Sequence, residues 1–432
     1  MLRCLTFSSL LVTVPTFLFA QMATPPALNT ALQTATVGSI VDLGFSSVSN
    51  THLLNNFATR IPDAGDGLFY SDCPETVSSI GKLYEDTLPA GNNRIYLYHV
   101  NGLGAGNNLR ISAALTNNGT TAATATITRK SFPAPSGNYS GIGREGVRQY
   151  YENAPLSIVR QISPGGSVLL DAALDSQVIT NNQLVNVTYD VTFSAPLLVT
   201  SVAVPVGTDT LAALPAMVQS PNDAFLRQGT FSHNARENAT PYAYKTSDGI
   251  KRLRFADAAS ISASDPPLSG TDAESGTATT LRGNFAVTYK VRVNLRSDDN
   301  RRLALLLNPR GGVYGGYFRT TFPEGSGTTA GGLVPSGTTS VPDSSHGGVV
   351  SLMTLTTASE TLLLEFIPAG AMNLPFEILL VPYTVPPTPT ASPTMSPSPT
   401  ATATASPSPT ASLTPSPTAS PTPNAQTSFT IY

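Results

Sequence analysis

Residues 184–193 read LVNVTYDVTF. Val185, Val187, Tyr189, Val191 and Phe193 fall on one face of an extended chain; Asn186, Thr188, Asp190 and Thr192 fall on the other. A period of two over ten residues makes a strand with one buried and one wet face. Residues 285–295, FAVTYKVRVNL, repeat the pattern with Val287, Tyr289, Val291, Val293 and Leu295. β-Branched and aromatic side chains dominate both runs, which suits a pleated surface.

Shorter runs of this kind lie at 95–100, 109–115, 122–128, 197–204, 303–307, 349–356, 361–367 and 376–381. Asn117-Asn118-Gly119 and Ser297-Asp298-Asp299-Asn300 read as hairpin turns between successive strands, and Pro164-Gly165-Gly166 as a further turn. Helical patterns are confined to 145–152 and 222–228, two turns each at most. Many short strands without alternating helices predict an all-β chain of two antiparallel β-sandwich domains, jelly-roll or Ig-like. The predicted division is an irregular N-terminal extension at 21–90, a first sandwich at 91–205 and a second at 206–385. The Gly/Ser/Thr-rich stretch 323–348 reads as a long loop of the second. No short repeat is evident, and the sequence does not show whether the two sandwiches are related.

The ends read differently. Arg3 precedes a mostly apolar stretch at 5–19, with small residues at Ala20 and Ala23. That is the layout of a signal peptide over 1–20, with cleavage after Ala20 or Ala23, and it is too short for a membrane span. It predicts export to the cell surface or beyond, and no transmembrane helix after its removal. At 386–424, 12 of 39 residues are proline and 10 threonine, with no charge, so the tract cannot bury enough apolar surface to fold. It reads as a Pro/Thr/Ser-rich stalk or linker, followed by a short segment at 425–432 ending in Phe429, Ile431 and Tyr432.

Composition removes several functions. The 432 residues carry a net charge of −3, with 12% charged side chains, about half the usual quarter. Without a basic excess, nucleic acid is not an expected partner. Two cysteines cannot make a disulfide framework, and export leaves Cys73 as the one mature cysteine, expected buried and inert. Four histidines leave little material for a metal site.

Individual motifs favour plain roles. Gly141-Ile142-Gly143-Arg144-Glu145-Gly146 matches GxGxxG but follows a loop-like stretch, so it reads as a turn. Asp63, Asp66 and Asp72 have spacing that can hold Ca²⁺, yet they lack the EF-hand pattern and read as a surface turn. His99, His233 and His346 sit in no HExxH motif, and no GxSxG elbow supports a Ser/His/Asp triad. Glu145, Glu152 and Asp190 are carboxylates that a glycosidase would need in facing pairs, which sequence cannot supply. Asn118, Asn138, Asn186 and Asn238 begin N-x-Ser/Thr sequons.

The stretches IYLYHVNGLG (95–104), GREGVRQYY (143–151), RGNFAVTYKVRVNL (282–295) and LLLNPRGGVYGGYFR (305–319) resemble a group of exported bacterial proteins, chiefly cyanobacterial, with domains of unknown function. Some of these carry a copper amine oxidase N-terminal-like stalk domain. The resemblance implies a secreted β-rich protein and brings no catalytic residue; here a Pro/Thr/Ser tract stands where the stalk module would be. Within it, Asn308-Pro309-Arg310-Gly311-Gly312 reads as a turn, and Tyr314 and Tyr317 flank Gly315 and Gly316. A tyrosine beside a glycine turn can meet a ligand, so Arg310, Tyr314 and Tyr317 are the candidate ligand-binding residues.

Together these readings predict a secreted or cell-surface, non-enzymatic protein acting in adhesion or envelope structure, without cofactor or metal. Its expected partners are envelope polysaccharide or other surface proteins. The alternatives are a carbohydrate-binding module, which coplanar tyrosines would favour, and a secreted hydrolase with a cryptic site.

Overall fold

In the computed structural model the described residues are 22–46, 61–257, 265–337 and 340–386. The expected signal peptide, the tract beyond Pro386 and the segment 425–432 lie outside them.

Each alternating run is a strand. Leu184–Phe193 pairs antiparallel with Gly91–Asn101 on one side and Ala123–Ser131 on the other. Its odd-numbered side chains enter a core with Leu83, Ile95, Leu97, Ile111 and Val199. That core lies between a four-stranded sheet, ordered Ser167–Leu169, Leu109–Thr116, Leu197–Pro205, Gly81–Leu88, and a nine-stranded one. The heart of the larger sheet runs Gly67–Ser71, Gly91–Asn101, Leu184–Phe193, Ala123–Ser131, Ile158–Ile162. A second sandwich pairs a five-stranded with a seven-stranded sheet. Thr288–Arg296 is central there, and its Tyr289, Val291, Val293 and Leu295 face inward onto Leu305, Phe366 and Leu380.

The two sandwiches share one topology. The small sheet of the second runs His346–Met353, Arg302–Pro309, Phe376–Tyr383, Lys251–Phe255, which matches the four-stranded order strand for strand. Its large sheet runs Ala235–Glu237, Thr288–Arg296, Glu360–Phe366, Gly316–Thr321, Thr329–Val334, again in the same order. Even the exceptions to antiparallel pairing recur. Gly67–Ser71 and Thr76–Val77 lie parallel to Gly91–Asn101, and Ala235–Glu237 and Tyr242–Lys245 lie parallel to Thr288–Arg296. The relationship that the sequence could not decide is thus a topological repeat.

The repeats also trade strands. Asp63–Ala64, just before Gly67–Ser71, pairs with Ala235–Glu237 of the second repeat. Gln228–Phe231, just before Ala235–Glu237, pairs with Gly67–Ser71 of the first. Where the two crossings meet, Asn234 Oδ1 accepts from the Asp66 N–H at 3.2 Å.

Several expectations need correction. The segment 21–90 is not irregular: it supplies helix Pro26–Thr34 and strands to both sandwiches. Strands after residue 206, Gln228–Phe231, Leu268–Asp272 and Thr277–Leu281, extend the first sandwich's large sheet. The turns at 117–119 and 297–300 do not make hairpins. Each carries the chain from one sheet to the facing one, because the strands it joins find their partners elsewhere. Residues 222–228 form no helix, whereas Tyr139–Glu152 is a helix of 14 residues that contains the whole GxGxxG stretch. Its start is fixed by Asn138, whose side chain accepts from Gly141 N at 3.1 Å. The glycines that suggested a turn fit a helix packed closely on its neighbours. Among the described residues no helix is long and apolar enough to cross a membrane.

The outer faces of the two large sheets differ. On Thr288–Arg296, Lys290 and Arg292 face outward and pair with Glu237 and Glu324. On the matching strand Gly91–Asn101, the outward positions are Tyr96 and Tyr98, both buried.

Candidate functional site

Those tyrosines floor a cleft. Parallel pairing in register sets Tyr70 beside Tyr96, and their rings stack with centroids 5.0 Å apart at 16°. Tyr98, two residues along the same face, continues the stack at 6.4 Å and 19°. Loops of the second sandwich at 282–285 and 370–375, with the segment 224–227, wall a space of about 1160 Å³ over this ladder.

Asp72 follows the ladder strand and lines the cleft at 4% exposure. Tyr70 Oη donates to its Oδ2 at 3.1 Å, while its Oδ1 has no hydrogen-bond partner. Burial, aided by the negative charge of Glu75, pushes the Asp72 carboxyl well above the ordinary range and favours its protonated form. Glu75 is paired with Arg227, whose guanidinium stands 4.7 Å over the ring of Phe225. Phe225 is 71% exposed at the cleft wall. The loop that presents it is tied by Asp223, whose carboxylate accepts from the N–H groups of Glu75 (2.9 Å), Phe225 (2.8 Å) and Leu226 (3.2 Å).

Backbone strain gathers here. Seven non-glycine residues among those described have positive φ. Of these, Leu226, Ala256 and Ala371 line the cleft, and Asn284 and Ala286 flank its lining residue Phe285. Such conformations cost roughly 1–3 kcal/mol each and persist where surrounding structure enforces them, often at functional sites. Leucine and alanine have no polar side chain to offset that cost locally.

A serine–histidine pair exists, away from the cleft. Ser71 Oγ lies 2.9 Å from His99 Nε2, and His99 Nδ1 donates to the Pro74 carbonyl at 2.9 Å. Both residues are wholly buried inside the first sandwich, and burial lowers His99 to about 4. With no access for a substrate, the pair is a structural link. Cys73 next to it is also buried, and burial pushes its thiol up to about 12.

The candidates read from sequence lie elsewhere. Tyr314 is fully buried, stacked on Phe376 with centroids 4.3 Å apart at 20°. Tyr317 stacks on Tyr151 at 5.5 Å and 15°. Arg310 lies 3.8 Å from Glu377 and donates to the Ser46 carbonyl at 2.9 Å. The structure brings none of the three to the cleft, because the turn that holds them serves the second core. Glu145 and Glu152 share Arg148 on one helix, and Asp190 meets Arg94. Asp63 lies 3.2 Å from Arg236 while Asp72 lies in the cleft, so that acidic trio is dispersed. His346 Nδ1 lies 2.8 Å from Asp343, and His233 Nδ1 is buried without a partner. Among the described residues no group of three or more His, Cys, Asp or Glu is placed to hold a metal ion.

No protein-family model matches the chain, and no curated protein does. Solved structures give distant likenesses. The CUB1-EGF-CUB2 fragment of human MASP-1/3 is 7% identical over 69% of this chain and 99% of that one, with a TM-score of 0.18. The CBM22-1–CBM22-2 tandem of Paenibacillus barcinonensis Xyn10C is 9% identical over 76% and 100%, with a TM-score of 0.15. Hazelnut vicilin is 8% identical over 70% and 83%, with a TM-score of 0.12. At such scores the likenesses carry no argument about function.

Proposed function

We propose that the chain is an exported, non-enzymatic surface protein that works by adhesion, and that the cleft between its sandwiches holds a stretch of envelope polysaccharide. The cleft is the observation that carries this reading. An aromatic floor and an exposed Phe225 suit the apolar faces of sugar rings, while Ser269, Thr280 and Asn373 offer hydrogen bonds to their hydroxyls. Its volume takes several sugar units rather than one. Adhesion fits better than hydrolysis because Asp72 and Glu75 leave one short stretch of chain on one wall. A glycosidase needs two carboxyl groups on opposite sides of the bond it cuts. The apolar leader and the Pro/Thr/Ser tract read from the sequence would deliver the head and hold it off a surface.

The test is co-pelleting of the full chain with isolated cell envelopes, with soluble polysaccharides as competitors. Saturable pelleting that one glycan abolishes, and that Phe225→Ala weakens, supports the reading. Pelleting that no glycan competes away, or turnover of a glycan, sinks it.

A further inference from the structure

The cleft's unspent groups narrow the ligand. Besides its three tyrosines, two carboxyl and two guanidinium side chains line it: Asp72, Glu75, Arg227 and Arg282. Glu75 and Arg227 answer each other. Asp223, behind them, is satisfied by three backbone N–H groups. Arg282 is exposed and has no ion pair among the described residues. Burial favours the protonated form of Asp72, and while its Oδ2 meets Tyr70 Oη at 3.1 Å, its Oδ1 has no hydrogen-bond partner. The cleft therefore offers one guanidinium without an ion pair and one buried carboxyl oxygen without a partner among the described residues.

We propose that the cleft selects a carboxylate-bearing sugar, the uronic acid unit of an acidic polysaccharide, with Arg282 supplying charge and Asp72 a hydrogen-bond donor. The proposal rests on the glycan reading above and specifies its substrate class. A uronate is ionised above about pH 4, like other carboxylic acids. Guanidinium and carboxylate match in geometry as well as charge, and a neutral acid donating to an anion makes a charge-assisted bond. A neutral sugar would leave Arg282 unanswered, and an amino sugar would be repelled by it.

The groups facing Asp72 set the pH dependence. They are Tyr70, Tyr96 and Tyr98 from the floor, Glu75 and Asp223 from the adjoining chain, and Arg227. All but Arg227 and the neutral phenols disfavour a second negative charge. Raising the pH until Asp72 ionises removes the donor and places an anion before an anionic ligand, so binding falls.

The test is calorimetric titration of the full chain with hexagalacturonate and, separately, with cellohexaose. Hexagalacturonate is expected to bind at least about tenfold more tightly, the scale of one charge-assisted hydrogen bond, and to weaken with added salt. Arg282→Gln, at an exposed site, should remove that preference without altering the melting temperature. Asp72→Asn keeps an N–H donor and should retain binding while losing its fall at high pH; Asp72→Leu should lose binding. Equal or tighter binding of cellohexaose overturns the selection and leaves the glycan cleft standing. No binding of either, with envelope pelleting also absent, overturns both readings. Loss of binding in a folded Asp72→Asn variant overturns the role given to the protonated carboxyl.

Discussion

Gly143 and Gly370 touch backbone to backbone. A β-carbon on Gly143 would lie 1.8 Å from the Gly370 carbonyl oxygen, and one on Gly370 would lie 3.1 Å from Tyr96 Oη. Helix, loop and tyrosine floor are thus pressed together along one line. Gly143→Ala should lower stability by about 1–3 kcal/mol, the usual cost of overpacking, and weaken any cleft ligand. Gly146→Ala is the control: its β-carbon would find neighbours only at 3.5 Å and beyond, and alanine suits a helix better by about 1 kcal/mol. Thermal melts that move both variants equally would break the argument.

Arg94 ties the two repeats. It pairs with Asp190 at 2.7 Å and also donates to the Ala286 carbonyl at 2.6 Å and to Thr288 Oγ1 at 3.0 Å in the second repeat. Arg94→Met leaves Asp190 without its cation and should cost about 3–5 kcal/mol by denaturant unfolding. Arg94→Met with Asp190→Leu should recover part of that loss. A double variant no better than the single one would mean that the contacts to the second repeat, not the charge, carry the effect.

Acid should weaken the fold through His99. Burial lowers its folded value to about 4, against about 6.5 when unfolded. The unfolded chain therefore binds the extra proton first. The neutral ring's contribution is whole above pH 6.5 and is lost as pH falls toward 4, on the order of 3 kcal/mol. Stability measured from pH 7 to pH 4.5 should decline with this slope, and His99→Gln should flatten it. An unchanged slope in that variant would assign the decline to other groups.

Asp72 works in the opposite sense. Its folded value is raised, so the folded state keeps a proton that the unfolded state gives up. Stability falls as pH rises from about 4, the unfolded value, through the folded one. Asp72→Asn should therefore raise the melting temperature at pH 8 and leave it nearly unchanged at pH 4. A shift of the same size at both values would show that ionisation is not the cause.

Strand positions were legible because alternation is a local property: 95–100, 184–193 and, within the run 285–295, 288–295 each became a strand. Strand partners were not, since a polar turn such as Asn117-Asn118-Gly119 looks the same whether its strands pair or part. The helix Tyr139–Glu152 was masked by Gly141, Gly143 and Gly146, of which Gly143 is required by the close approach of Gly370. The cleft left one readable trace. IYLYHV, 95–100, has no wet face, and a strand apolar on both sides must be covered on both sides. Phe225 and Arg282 left none, because their lining one cleft with Asp72 depends on how the chain packs there.

The modules repeat in topology and part company on their outward faces, tyrosine on one and ion pairs on the other. A molecule with a single module would own a floor and no walls, because the loops at 282–285 and 370–375 come from the second copy. The cleft is thus a property of the pair, and neither module alone has one.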